Sequence, residues 1–142
     1  MSITERFDEA NAILGQLVPA SYSSEQNIAL FNVSGYEEIF VLIQFGAIGT
    51  TLDVDIEVAR DADATGLLTL DSITQLSVDN GYVGLSIQAE KLVNPTGGSG
   101  NYDWMRIEVT PSGACLVGVI VFGVNPKYKP VDVTGYDELI HT

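Results

Sequence analysis

The 142-residue chain is poor in the residue types that carry most protein chemistry. It has one cysteine and one histidine, and six lysines and arginines stand against nineteen aspartates and glutamates, for a formal charge of -13. A single cysteine excludes an internal disulfide, and with a lone histidine it leaves no cluster for a thiolate or imidazole metal site. The acidic charge repels nucleic acid and anionic lipid, so we expect neither a nucleic acid nor a membrane as a partner.

Apolar runs long enough to cross a membrane as a helix are also missing. The segment Ala114–Val124 is about half the required length and contains two glycines. An apolar strand explains it, and Cys115 within it is predicted to be a buried structural thiol. The first residues carry charges of both signs and no secretory signal, so we expect synthesis in a cytoplasm.

Strand-forming sequence is what the chain has in quantity. Tyr36–Phe45 is almost wholly apolar, as in a strand buried on both faces, whereas Leu52–Val58 alternates apolar with acidic residues. Gly46 and Gly49 supply a reversal between the two segments. The pair is predicted to form a hairpin in which the first strand belongs to the core and the second to the surface.

Strand signals separated by glycine, asparagine and proline continue to residue 126. They predict one all-β domain, an antiparallel, jelly-roll-like β-sandwich of seven to eight strands. The predicted strands are Asn27–Val33, Glu38–Phe45, Leu52–Arg60, Ile73–Leu76, Gly84–Leu92, Tyr102–Thr110 and Cys115–Val124.

The two ends of the chain depart from this pattern. Ser2–Glu5 fits a capping box, and apolar residues at helical spacing from Phe7 to Leu17 predict a short amphipathic helix that ends at Gly15. The last sixteen residues have scattered apolar positions without a period. The predicted division is a helical arm over 1–16, the sandwich over 17–126 and an extended arm over 127–142.

Carboxylates supply the candidate metal sites. Asp53, Asp55 and Glu57 project from one strand face about 6.6–7 Å apart, too far to share an ion without a ligand from a neighbouring strand, so a solvated face is favoured. Asp61–Gly66 imitates the start of a calcium loop but lacks the completing glutamate, so turn chemistry is favoured. We predict no metal and no cofactor.

Three further features have structural explanations that we favour over functional ones. The glycine-rich Pro95–Asn101 has no lysine and precedes a strand, so it is predicted to be a flexible hairpin loop and not a phosphate site. Tyr102, Trp104 and Arg106 share one side of a strand, as a sugar-binding platform or an interface would require, but packing over the core is favoured. His141 is penultimate and has no nucleophile to assist, so we expect no enzyme.

Several segments together resemble a known group of proteins. They are Val33–Tyr36 before an apolar strand, Ala59–Gly66 after an alternating one, Trp104–Val109, and Val124–Val131. This arrangement, over residues 30 to 131, resembles small proteins encoded among the head genes of tailed bacteriophages and prophages. The resemblance implies a virion component, most of all a capsid decoration or cement protein on the capsid exterior.

The expected partners are then the major capsid protein and further copies of the chain, as a homotrimer on local three-fold axes. The candidate contact residues are the apolar positions of the predicted helix and the basic and apolar positions of the arm: Phe7, Ile13, Leu14, Lys127, Tyr128, Lys129, Val131, Tyr136, Leu139 and Ile140. A head–tail junction or tail protein is the first alternative. A carbohydrate-binding sandwich that uses Tyr102 and Trp104 is the alternative from another class.

Overall fold

The computed structural model describes residues 7–127, and most of these lie in β-strands. A single helical turn, α1 (Phe7–Ala10), precedes the first strand. The strands are β1 (Asn11–Tyr22), β2 (Gln26–Asn27), β3 (Phe31–Asn32), β4 (Tyr36–Ile48), β5 (Thr51–Ala59), β6 (Leu68–Leu76), β7 (Gly81–Gln88), β8 (Trp104–Ser112) and β9 (Cys115–Pro126). A 3₁₀ helix (Ala89–Leu92) follows β7.

The strands form two antiparallel sheets. The first sheet has the order β1-β9-β4-β7, and the second has the order β2-β8-β5-β6, with β3 also paired to β8. With β2 and β3 counted as one interrupted strand, each sheet has four strands and the chain passes repeatedly from one sheet to the other. This connectivity is that of a jelly roll. The predicted fold class, an all-β, jelly-roll-like antiparallel sandwich, is confirmed.

The core lies between the two sheets and is made by alternate residues of their central strands. In β5 the side chains of Leu52, Val54, Ile56 and Val58 are fully buried, because every second residue of a strand faces the same side. Matching inward positions in β4, β8 and β9 complete the core with Val41, Ile43, Met105, Ile107, Val109, Val119 and Val121. Cys115 is buried among them as a free thiol, as predicted.

The predicted hairpin between the apolar and the alternating segment is wrong. β4 pairs with β7 and β9, whereas β5 pairs with β6 and β8, so the connection crosses from one sheet to the other. Gly49 makes this crossing tight, since a Cβ there would lie 2.8 Å from the backbone of Ala114 in the opposing turn. The alternating strand is therefore central to the second sheet and not a surface strand.

The predicted N-terminal helix is also largely wrong, because it ends at Ala10 and β1 follows at once. β1 pairs with β9 and has bulges between Ile13 and Gly15 and between Leu17 and Ala20. Each bulge inserts a residue and shifts the two-residue alternation. The shifts produce the three- and four-residue apolar spacing that imitates a helix.

Other boundaries differ by a few residues. The predicted strand Asn27–Val33 is broken into β2 and β3, the strand predicted at Ile73 begins at Leu68, and the end of Gly84–Leu92 is a 3₁₀ helix. The chain leaves β9 at Lys127, whose backbone N–H donates to the carbonyl of Gly35 at 2.8 Å. Residues 128–142, predicted as an extended arm, lie outside the described residues, as does the predicted capping box.

Candidate functional site

The central strands of the first sheet, β4 and β9, carry mostly apolar residues on their outer side, whereas β7 carries Ser86 and Gln88 there, and we call this side the apolar face. The cross-strand register places Phe40 opposite Phe122 and Leu42 opposite Ile120, with Ile13 on the other side of Phe122. These side chains point away from the core, and Ile120 is 37% exposed. The apolar face consists of Phe7, Ile13, Phe40, Leu42, Tyr82, Leu116, Ile120, Phe122 and Val124.

Phe7 is the most prominent aromatic at one end of this face. Its ring stands edge-on to that of Phe122, with ring centroids 5.4 Å apart and an interplanar angle of 85°. The side-chain amide of the buried Asn11 donates to the carbonyl of Phe7 at 2.8 Å and so ties the helical turn to β1. Phe7 is thus anchored at the sheet although its side chain is 60% exposed.

A groove of about 520 Å³ lies at the other end of the face. Gly46, Gly81 and Gly118 are among its lining residues, and Pro19 of β1 lies over Gly118, where a Cβ would approach it to 2.8 Å. Tyr82 forms one wall and is 70% exposed. The side-chain amide of Gln44 donates to the Tyr82 hydroxyl at 3.4 Å. Leu116 lines the groove as well.

Charge is nearly missing from the first sheet. Among the residues of β1, β4, β7 and β9, Glu37 and Glu38 are the charged ones, and both lie at the start of β4. The hydroxyl of Ser86 donates to the Glu38 carboxylate across the strand pair. A solvent-exposed apolar surface of this kind is typical of a region that another molecule covers.

The outer side of the second sheet is acidic, and we call it the acidic face: Asp53, Asp55 and Glu57 of β5 with Arg106 and Glu108 of β8. Asp53 accepts from the backbone N–H of Gln75 at 2.6 Å, and Asp55 accepts from the hydroxyl of Ser72 at 2.6 Å. These carboxylates are engaged within the sheet. The interpretation of the β5 carboxylates as a polar strand face fits these bonds.

Glu57 and Arg106 form the ion pair of this face. The guanidinium Nη2 lies 3.0 Å from Glu57 Oε1, and Nε donates to the same oxygen at 3.0 Å. Glu57 is 9% exposed, and this ion pair supplies a hydrogen-bonded partner for its nearly buried carboxylate. Beside the pair, desolvation and then the charges of Glu57 and Glu25 raise the pKa of Glu108.

The calcium-like segment is a turn. The Asp61 carboxylate accepts from the backbone N–H of Asp63 at 3.0 Å and of Thr65 at 3.1 Å, and these bonds close the loop. Bonds from Thr65 hold the pKa of Asp61 below its usual value. Ala64 and Gly66 take positive φ angles within the same turn. Within residues 7–127 there is no group of three or more histidine, cysteine, aspartate and glutamate side chains placed to hold a metal ion.

The aromatic platform on β8, which was the alternative to packing, is not formed. Tyr102 lies just before the strand and is 2% exposed, so it belongs to the core, as the favoured packing interpretation required. The Arg60 guanidinium covers its ring at 5.4 Å from the centroid and donates to the carbonyl of Ser99 at 3.0 Å. Trp104 is half-buried, and Arg106 forms an ion pair with Glu57.

The glycine-rich loop is closed by hydrogen bonds. Val93 and Asn101 form an isolated antiparallel bridge, and the N–H of Asn94 donates to the carbonyl of Gly100 at 2.8 Å. Because β7 and β8 lie in different sheets, this loop carries the chain across the sandwich.

The predicted contact residues fall in three places. Phe7 and Ile13 lie on the apolar face, whereas Leu14 packs against the core. Lys127 is exposed where the chain leaves β9. The others, Tyr128, Lys129, Val131, Tyr136, Leu139 and Ile140, lie outside the described residues, and so does His141. Neither helix of the described part is long and apolar enough to cross a membrane.

No family model matches the chain, and no curated protein matches it. Among solved structures, the chain is similar to the SPBc2 prophage-derived protein YomS, with 15% identity and a TM-score of 0.45 over 80% of this chain and 93% of that one. A chain of the Cowpea Mosaic Virus empty virus-like particle shows 9% identity and a TM-score of 0.48, over 91% of both chains. A carbohydrate-binding module specific for non-crystalline cellulose shows 8% identity and a TM-score of 0.48, over 80% and 73%. Likenesses at this level assign no function.

Proposed function

We propose that this chain is a structural protein of a tailed-bacteriophage virion, a cement protein that decorates the capsid exterior as a homotrimer and binds the major capsid protein. The observation that carries the proposal is the contrast between the two outer sides of one sandwich. One side is apolar and nearly uncharged, and the other is acidic with its carboxylates bonded to neighbours. Such a body suits attachment, and we expect no enzymatic activity.

The physical demands of a shell agree with this architecture. A capsid under internal pressure from packed DNA gains from many small clamps across capsomer junctions, and each clamp needs only modest affinity because many act together. A sandwich with a continuous buried core supplies a rigid clamp body. An outward acidic face keeps particles soluble and apart.

Lys127 is the described candidate for an electrostatic contact with the shell. Its backbone is tied to Gly35, so its position is defined by the sandwich even though its side chain is exposed. In the sequence, Lys129 follows two residues later, which concentrates positive charge where the chain leaves the domain. We propose that these lysines face acidic surface on the major capsid protein.

Location in purified particles tests the proposal directly. Particles of the phage or prophage that encodes the chain are imaged by cryo-electron microscopy, and the same particles are made without the chain. We expect copies on the outside of the shell at three-fold and quasi-three-fold positions, and earlier DNA release on heating when the chain is missing. Copies found only at the head–tail junction or tail would replace the cement role with the first alternative.

The charge contact is tested by reversing one lysine at a time. Lys127→Glu is expected to weaken binding to particles that lack the chain by about tenfold, since a favourable contact becomes a repulsive one. Lys91→Glu, at an exposed position of the 3₁₀ helix, is the matched control and should bind normally. Equal binding by both variants would remove Lys127 from the contact.

The C-terminal segment is tested by deletion of Val131–Thr142. Sixteen residues from Lys127 onward span up to about 50 Å when extended, enough to reach a neighbouring subunit. We expect the truncated protein to keep its circular dichroism spectrum and melting cooperativity but to bind particles less tightly. Unfolding on truncation would show that this segment completes its own domain.

Carbohydrate binding remains a second candidate, because the groove combines the exposed ring of Tyr82 with the amide of Gln44. Aromatic stacking and amide hydrogen bonds are the chemistry of sugar recognition. In this candidate Tyr82 takes the place of Tyr102 and Trp104, the residues of the alternative considered in the sequence analysis. A glycan-binding screen with Tyr82→Ala as control decides: saturable binding lost in the variant favours this candidate, and its absence in the native protein removes it.

A further inference from the structure

We propose that the apolar face is the surface through which copies of this chain associate, with the Phe7 end of one copy seated in the Tyr82 groove of the next. The inference rests on the proposed function in one respect, since it names the surface that would hold the trimer together. It does not depend on the capsid, because association is measured on the free protein.

The distribution of charge favours a second copy as the occupant. Two copies that each carry a formal charge of -13 repel one another over most approaches. Among the outward positions of the first sheet, the charged side chain is that of Glu38, at the margin, and Asp8 and Glu9 follow Phe7 in the sequence at one end of the face. Association through this face leaves both acidic faces in water and desolvates few charges.

The exposed apolar area is sufficient for the centre of an interface. Phe7 is 60% exposed and Tyr82 is 70% exposed, which corresponds to roughly 200–300 Å² for these two rings alone. Leu116 and Ile120 add to this, at 47% and 37% exposed, and the half-buried outward residues extend the patch. A standard interface covers about 800 Å² on each partner, with an apolar centre and a polar rim.

The shape of the face agrees with contact between unlike parts of two copies. Phe7 stands exposed beside Phe122 at one end, and the groove is lined by Gly118, four residues earlier on β9 and therefore about 13 Å away. A projection and a groove at different places on one face engage head to tail, and such a contact makes a ring when the rotation closes. A closed ring of three is what the proposed trimer requires.

The experiment measures the mass of the full chain by sedimentation over a wide range of concentration. The variants are Ile120→Glu and Phe7→Ser on the apolar face, and Thr74→Glu, an exposed position on β6 of the second sheet, as the charge-matched control. We expect the native protein and Thr74→Glu to associate with similar dissociation constants. Ile120→Glu should raise the dissociation constant at least about 100-fold, because an unpaired carboxylate would be buried.

Phe7→Ser should weaken association less, by about tenfold, because it removes one ring without adding a charge. Each variant should keep the native circular dichroism spectrum, which separates loss of association from loss of fold. Addition of Tyr82→Ala to Phe7→Ser should cost little more, since the two residues meet in the same contact.

Three results would overturn the inference. The native chain could stay monomeric at every concentration, or Ile120→Glu could associate as tightly as the native chain. The pair Leu139→Ser and Ile140→Ser could also abolish association while Ile120→Glu has no effect, which would place the contact elsewhere. Particle binding is measured separately: an associated chain that binds no particle defeats the cement role and supports the surface assigned here.

Discussion

The two outer faces of the sandwich differ although their strands have the same inward pattern. In β4 and β9 the outward positions hold Phe40, Leu42, Ile120 and Phe122, whereas in β5 they hold Asp53, Asp55 and Glu57. Both central pairs bury valine, isoleucine and leucine inward. The outward residues therefore do not form the core, and the core does not explain why their polarity differs between the two faces.

The two faces also differ in how many hydrogen bonds their side chains make within the chain. On the acidic face, carboxylates accept hydrogen bonds from Ser72, Gln75 and Arg106. On the apolar face, Phe7 and Tyr82 remain largely in water, and the groove between β4, β7 and β9 is open. A single chain thus pairs the carboxylates of its acidic face on its own and leaves its apolar face exposed, which is the state that the proposed association between copies requires.

The largest expected effect distinguishes a residue on the inner side of the sandwich from a residue on its outer side. Ile56→Ala, at a fully buried inward position, should lower the free energy of unfolding by about 2–5 kcal/mol through lost burial and a cavity. Ile120→Ala, outward on the apolar face, should lower it by less than about 1 kcal/mol at high dilution. Urea denaturation of both variants at several protein concentrations provides the measurement.

Concentration is the control in this comparison. If copies cover Ile120, the cost of Ile120→Ala grows as the protein is concentrated, while the cost of Ile56→Ala stays constant. Equal costs for the two variants at high dilution would mean that Ile120 is part of the monomer's core, and the distinction between the inner and outer sides would fail.

Much of the fold could be predicted from sequence because period-two alternation is strong where one face is buried. Leu52–Val58 shows this pattern, and its inward residues are the centre of the core. The burial of Cys115 and of Tyr102 also follows from the sequence, since a lone thiol and an aromatic side chain in apolar strands are usually buried.

The candidate site could not be found in this way. The outward apolar residues of Tyr36–Phe45 indicate burial, but the sequence does not say whether the covering body is the same chain or another one. The bulges of β1 disturb the two-residue alternation by which a strand is recognised. The pairing of Ile13 with Phe122 could therefore not be predicted. The pairing of β4 with β9 depends on contacts between distant parts of the chain, which local patterns do not encode.

A medium effect is expected on the acidic face. Arg106→Ala leaves the Glu57 carboxylate nearly buried without its cation, and should lower the free energy of unfolding by about 1–3 kcal/mol, with allowance for the partial exposure of the pair. The double variant Arg106→Ala with Glu57→Gln should recover part of this loss, because no charge is left unpaired. Thermal and urea unfolding of the two variants measure the difference.

A matched change on the other sheet sharpens this result. Gln44→Ala removes the polar neighbour of Tyr82 at an exposed position and should change stability by no more than about 0.5 kcal/mol. If Arg106→Ala were equally mild, the Glu57–Arg106 pair would be an ordinary surface pair and the acidic face would not depend on internal pairing.

The smallest expected effect is the pH response of Glu108. Because desolvation and neighbouring carboxylates raise its pKa, the folded chain binds more protons than the unfolded chain between the unfolded pKa and the raised folded pKa. The contribution of Glu108 to stability is therefore greatest below this window and falls as the pH rises through it. Glu108→Gln should raise the melting temperature slightly at pH 7, and this gain should vanish as the pH falls below the unfolded pKa.

Glu90→Gln, exposed in the 3₁₀ helix, is the matched control and should melt like the native chain at both pH values. A gain of the same size at neutral and acid pH would show that Glu108→Gln acts by packing, because only a change in ionisation gives a pH-dependent difference.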